Sequence, residues 1–137
     1  MDSLTFKPGL AFLSSNSPAP PWTAVFEDEG PAGYFYACDR SQETHDHSIM
    51  DAMLIYNVAS LDDSGRERIA SIQWSRDGQR CVLYLDGVAQ AMLDFAAQIS
   101  FCRSNFPNFL EDGPRWRHTS HAWDDDAIRR FETEIYA

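Results

Sequence analysis

The chain has 137 residues, of which 44% are apolar, and it carries a formal net charge of -10 at pH 7. A chain of this length and composition fits one globular domain with one core. Because Asp and Glu outnumber Lys and Arg by 21 to 11, the charge argues against binding to nucleic acid or to an anionic membrane. It favours a protein partner with a basic surface.

The N-terminal stretch, residues 1–21, is predicted to be an arm followed by a proline-rich loop. Residues 10–13 could add an edge strand, but the prolines that follow cannot join a sheet interior. Residues 22–26 then alternate, which places Trp22, Ala24 and Phe26 on one face of a strand. An acidic turn over residues 27–33 leads into a returning strand at residues 34–38.

The middle of the chain predicts a longer strand and then a meander. Residues 49–59 are apolar on both faces, which is typical of a strand in the middle of a covered sheet. Three apolar segments follow at residues 69–74, 81–85 and 88–95. Two Asp-Gly pairs separate them, and such pairs supply the positive φ angles that tight hairpins need.

The last part of the chain predicts an irregular aromatic segment over residues 96–123 and a helix over residues 124–136. Three aspartates at 124–126 supply a cap and first-turn acids, and one helical stripe is apolar: Ala127, Ile128, Phe131 and Ile135. The predicted fold is mainly β (α+β), one domain over residues 1–137. It is a single antiparallel meander sheet of about six strands over residues 22–95, strongly twisted or partly closed, with the helix packed on one face.

Two histidine pairs are the only candidates for a metal site. His45 and His47 could face the same way on a strand, and His118 and His121 could be neighbours on a helical turn. Zinc would need a third protein ligand, and the sequence offers none at a recognisable spacing. We therefore predict no metal and no other cofactor. Cys38, Cys81 and Cys102 lack a CxxC spacing and are predicted to be reduced core thiols.

Two aspartates, Asp51 and Asp94, are flanked by apolar residues within predicted strands. A buried carboxylate of this kind can serve as a general acid or base, or it can accept structural hydrogen bonds. We predict that Asp94 is more than half buried and hydrogen-bonded. The sequence contains no G-x-S-x-G elbow and no glycine-rich phosphate loop, so no catalytic motif supports an enzyme.

Two stretches carry residue types that are common in binding surfaces. The late segment combines arginines, histidines and tryptophans, which dominate interface hot spots. It comprises Arg115, Trp116, Arg117, His118, His121 and Trp123. For both tryptophans, filling the space between sheet and helix is the structural alternative, and it is favoured for Trp123. The second stretch is the acidic turn Glu27, Asp28 and Glu29, which would attract a basic partner.

Several strings together resemble a prokaryotic family catalogued as a domain of unknown function. They are FEDEGPAGYFYA (26–37), WSRDG (74–78), AMLDF (91–95), CRSNFP (102–107) and HAWDD (121–125). The resemblance implies a bacterial, stand-alone domain. It assigns no activity, so it identifies no catalytic residue.

The sequence thus favours a small, acidic, cytoplasmic interaction module that masks a basic partner, in the manner of toxin-neutralising immunity proteins. The expectation is a protein partner, neither nucleic acid nor membrane, with a homodimer left open. The alternative is a small-molecule-binding or hydrolytic domain that uses Asp51, Asp94 or the histidines in a pocket.

Overall fold

The computed structural model describes residues 1–41, 49–63, 65–104, 116 and 121–135. Within these residues the chain forms nine β-strands, a short 3₁₀ helix after the fifth strand at Val58–Ser60, and one α-helix. The strands and the helix are β1 (Asp2–Phe6), β2 (Ala11–Asn16), β3 (Trp22–Asp28), β4 (Ala32–Asp39), β5 (Ile49–Asn57), β6 (Arg68–Trp74), β7 (Arg80–Leu85), β8 (Val88–Asp94), β9 (Ile99–Cys102) and α1 (Asp125–Ile135).

The strands form two antiparallel sheets rather than the single sheet that the sequence predicted. The five-stranded sheet has the order β1-β6-β7-β8-β9, and the four-stranded sheet has the order β2-β3-β4-β5. The chain leaves the first sheet after β1, builds the second, and returns at β6. The single-sheet prediction failed because alternation identifies strands and their faces but does not say which strands are hydrogen-bonded together.

The main core lies between the two sheets, and a smaller one lies under the helix. Inner-face side chains of both sheets fill the main core, among them Phe6, Leu13, Phe26, Phe35, Met53, Ile72, Leu83 and Leu93. On the opposite face of the five-stranded sheet, Val82, Met92 and Phe101 pack against Ile128 and Phe131 of α1. The predicted terminal helix and its apolar stripe are therefore confirmed.

The predicted meander is confirmed as β6, β7 and β8, but its two turns differ. Asp86 and Gly87 have φ angles of 50° and 80°, as a two-residue hairpin with positive φ at both positions requires. The other connection is five residues long, 75–79, and only Gly78 has positive φ, at 71°. Here the Ser75 side chain organises the loop, because its hydroxyl donates to Asp77 Oδ1 at 2.6 Å and accepts from the Arg80 N–H at 3.1 Å.

Strand β5 is apolar on both faces, but it lies at an edge of its sheet rather than in the middle. Met53 points into the core and is fully buried. On the opposite face, Ala52 is also buried and lies beside Tyr36, its cross-strand neighbour. The large ring of Tyr36 can shield the small alanine, so apolar faces on this strand do not require a central position.

Candidate functional site

The acidic turn predicted as a binding surface contains one buried carboxylate. Asp28 is 1% exposed, and its Oδ2 accepts hydrogen bonds from the Gly9 N–H at 2.7 Å and the Tyr56 hydroxyl at 2.5 Å. Its Oδ1 accepts from the Gly30 N–H at 2.9 Å. These bonds tie β5 and two loops to the end of β3. Asp28 therefore has a structural role in holding the turn.

Tyr56 reaches Asp28 by lying directly over a glycine. A Cβ atom at Gly33 would lie 2.7 Å from Tyr56 Cζ, closer than real Cβ atoms approach other atoms. Burial raises the pKa of the Tyr56 hydroxyl, and its hydrogen bond to Asp28 raises it further. The phenol therefore stays protonated and remains a donor to the buried carboxylate.

The other two acids of the turn, Glu27 and Glu29, are accessible to solvent. They line a groove of about 460 Å³ together with Leu10 and Phe12. Leu10 is 81% exposed and Phe12 is 59% exposed, so two large apolar side chains lie in solvent beside two carboxylates. We call these four residues the acidic–apolar surface.

This surface continues onto the outer face of the four-stranded sheet. Glu27 lies between Phe12 and Tyr34 across the strands, because the register pairs it with both. One row further on, Val25 pairs with Tyr36. A single sheet face therefore presents aromatic rings on both sides of one carboxylate.

The structure brings together two residues that the sequence identified separately, Asp51 and His121. Asp51 Oδ2 lies 2.9 Å from His121 Nε2, and the Ser100 hydroxyl donates to the same oxygen. The Asp51 and His121 side chains are at most 1% exposed, and Ser100 is 3% exposed. The cluster links β5 of one sheet to β9 of the other.

This cluster differs from a hydrolytic triad in its order. In a Ser-His-Asp relay the histidine contacts the serine, so that it can take the hydroxyl proton. Here Asp51 lies in the centre and contacts both other residues. All three residues are buried, and Ser100 also borders the groove between α1 and the five-stranded sheet. The arrangement suits a buried polar network that fixes the position of one sheet relative to the other.

Asp94 is tied to its own turn. Its side chain is partly buried and accepts a hydrogen bond from the Ala97 N–H at 2.9 Å, as predicted for a structural carboxylate. It lines a groove of about 420 Å³ between α1 and the five-stranded sheet.

Trp116 is 3% exposed, with its ring edge-on to Phe95 at 5.4 Å, and it belongs to the main core. Trp123 packs edge-on against Phe101, and the Arg103 guanidinium lies 4.2 Å from its ring centre. Trp123 thus takes the structural alternative, between sheet and helix, whereas Trp116 is buried in the core between the two sheets. The remaining residues of that segment and the first histidine pair lie outside the described residues: Arg115, Arg117, His118, His45 and His47.

The three cysteines are free and buried, as predicted. Burial raises the pKa of Cys38 to about 11 and holds the pKa of Cys81 well above its usual range.

In the described part of the chain, no three His, Cys, Asp or Glu side chains converge as metal ligands would. The helix found there lacks the length and apolarity needed to cross a membrane.

A family model described as an uncharacterized protein conserved in bacteria, DUF2251, matches residues 6–132. The chain belongs to the DUF2251 family. An uncharacterized protein of Haemophilus influenzae is 33% identical over 86 residues, which make up 63% of this chain and 52% of that protein. The chain thus spans about half the length of the curated relative it matches. No solved structure matches significantly. The resemblance that the sequence strings indicated is confirmed.

In this DUF2251 chain, sequence reasoning missed Ser100 and the exposed pair Leu10 and Phe12. A serine between apolar residues gives no signal of its own. The unbroken apolar run at residues 10–13 did give a signal, because apolar and polar residues should alternate in a strand whose outer face is polar. Its lack of alternation indicates apolar side chains on both faces of β2.

Proposed function

We propose that this chain is a non-catalytic interaction module whose acidic–apolar surface masks a basic protein partner. The observation that carries the proposal is the exposure of Leu10 and Phe12 beside Glu27 and Glu29. Exposed apolar side chains with a charged rim mark interaction sites, and a cationic rim on the partner would complement these carboxylates.

The net charge of -10 supports the same kind of partner at longer range. A strongly acidic protein attracts a basic one before contact and thereby raises the association rate. Such a masking role would resemble that of immunity proteins. The buried Asp51–His121 cluster gives no support to a hydrolytic alternative, because Asp51 and not the histidine contacts the serine.

The test uses a fluorescent eight-residue peptide of alternating arginine and leucine, with binding measured by anisotropy over a salt series. We expect Glu27→Gln with Glu29→Gln to weaken binding about thirtyfold, since two lost charge contacts at about 1 kcal/mol each add to about 2 kcal/mol. We also expect Leu10→Ser with Phe12→Ser to weaken it at every salt concentration.

The matched control is Asp126→Asn with Glu132→Gln, which changes the net charge equally but lies on α1, behind the other sheet. Loss of affinity in the control equal to that in the Glu27/Glu29 variant would mean that only net charge matters, and it would refute the proposal. Ultracentrifugation of the protein alone adds a second check. If the protein alone forms a dimer, and the double variant Leu10→Ser, Phe12→Ser is monomeric, the surface is assigned to a second copy of the chain.

A further inference from the structure

The outer face of the four-stranded sheet contains a concave pocket of about 260 Å³. Its walls are apolar or aromatic, and its charged residues are one acid and one base. The lining residues are Phe12, Val25, Glu27, Tyr36, Cys38, Arg40 and Ile49. We call it the Tyr36 pocket. It shares Phe12 and Glu27 with the acidic–apolar surface, so the two form one continuous surface.

Strand pairing fixes the positions of the pocket walls. Val25 and Tyr36 are direct cross-strand partners, and so are Phe12 and Glu27 one row away. The Tyr36 ring lies nearly parallel to that of Tyr34, with the planes 10° apart and the centres 6.2 Å apart. The two rings thus lie side by side along the outer face of β4.

The two charged residues of the pocket lie towards different ends. Arg40 follows the end of β4, and one of its guanidinium nitrogens donates to the Ser14 hydroxyl at 3.3 Å. Glu27 lies near the opposite end of β3, in the row of Phe12. Burial of the ring and, after it, the negative charge of Glu27 raise the pKa of Tyr36 to about 12. The charge of Glu27 therefore acts on this ring. The Glu27 end therefore favours a cation.

We propose that the Tyr36 pocket binds an arginine side chain of the partner, with its guanidinium on the Glu27 carboxylate and its aliphatic stem between Phe12 and Tyr36. This proposal rests on the proposed function and names its anchoring contact. A carboxylate recognises a guanidinium through paired, charge-assisted hydrogen bonds. Aromatic rings add cation–π attraction, and arginine also stacks on aromatic faces better than lysine does.

The direct test is NMR titration of the intact chain with N-acetyl-arginine amide. Its uncharged isostere, N-acetyl-citrulline amide, serves as the ligand control. A ligand of this size is expected to bind in the millimolar range, given about 0.3 kcal/mol per heavy atom. We expect saturable shifts at Tyr36 and Phe12 with the arginine compound, and binding of the citrulline compound at least tenfold weaker. Equal binding of the two would overturn the proposal.

Three variants separate the Glu27 contact from general charge effects. Glu27→Gln should weaken arginine binding at least tenfold, whereas the matched neutralisation Glu132→Gln on α1 should leave it unchanged. Arg40→Gln should leave binding unchanged or strengthen it, because a like charge is removed from the pocket. Weaker binding in Arg40→Gln would show that the pocket selects an anion or zwitterion, and it would overturn the proposal.

The titration of Tyr36 provides a readout that a structural effect would not produce. A bound guanidinium near the ring stabilises the tyrosinate, so saturating arginine compound should lower the Tyr36 pKa, and the citrulline compound should not. If neither compound binds while the arginine–leucine peptide still requires Leu10 and Phe12, this inference fails and the proposed function stands. If the peptide also fails to bind, the proposed function fails with it.

Discussion

Replacing Gly33 with alanine should displace Tyr56 from Asp28 and so test what holds the acidic turn in place. The new methyl group would lie 2.7 and 2.8 Å from two ring carbons of Tyr56, so the ring must move. Movement breaks the 2.5 Å hydrogen bond to the buried Asp28, and a hydrogen bond to a charged group contributes about 1.5–3 kcal/mol. Alanine returns about 0.4–1 kcal/mol by restricting the unfolded chain.

We therefore expect Gly33→Ala to lower the free energy of unfolding by about 1–2 kcal/mol, measured by urea unfolding with tryptophan fluorescence. Tyr56→Phe removes the same hydrogen bond without a clash and should cost a similar amount. Asp28→Asn should cost more than either, because it also places an amide where the Gly9 and Gly30 N–H groups need an acceptor. A Gly33→Ala variant within about 0.5 kcal/mol of wild type would refute this reasoning.

Three further predictions concern the buried residues. His121→Gln should lower the unfolding free energy by about 1–3 kcal/mol, because it disturbs the hydrogen bond between His121 and the buried Asp51 carboxylate; an unchanged urea midpoint would contradict this. Trp116→Ala should cost about 3–5 kcal/mol of stability and leave binding of the arginine–leucine peptide by the folded protein unchanged, since Trp116 belongs to the core. The Cys38 thiol has a pKa of about 11 in the folded protein, whereas in the unfolded chain it ionises near pH 9. The free energy of unfolding is therefore unaffected by Cys38 below pH 9 and falls as the pH rises from 9 towards 11. The loss from Cys38 is about 3 kcal/mol, and Cys38→Ala should show a correspondingly flatter pH dependence in urea unfolding.

The features that the sequence predicted correctly depend on short-range patterns. The Asp86-Gly87 turn follows from two adjacent residues, and the helix α1 follows from a stripe with helical spacing. The division into two sheets does not follow from such patterns. It depends on which strands pair with each other, and the sequence pattern of an edge strand such as β5 can be the same as that of a central strand.

The candidate site shows the same limit at the level of single residues. Glu27, Asp28 and Glu29 are three successive acids, yet only the middle one is buried. Its environment comes from Gly9 and Tyr56, which are 19 and 28 residues away. The contact between Asp51 and His121 spans 70 residues. Sequence spacing could identify these residues as unusual but could not show that they are structural.

The measurement that tests the central claim most directly is an amide-shift map of the intact protein titrated with the arginine–leucine peptide. The account predicts that the largest shifts fall on Leu10, Phe12, Glu27, Glu29 and Tyr36, and that α1 stays unperturbed. Shifts concentrated on the α1 side of the five-stranded sheet, or spread evenly over exposed acids, would contradict it.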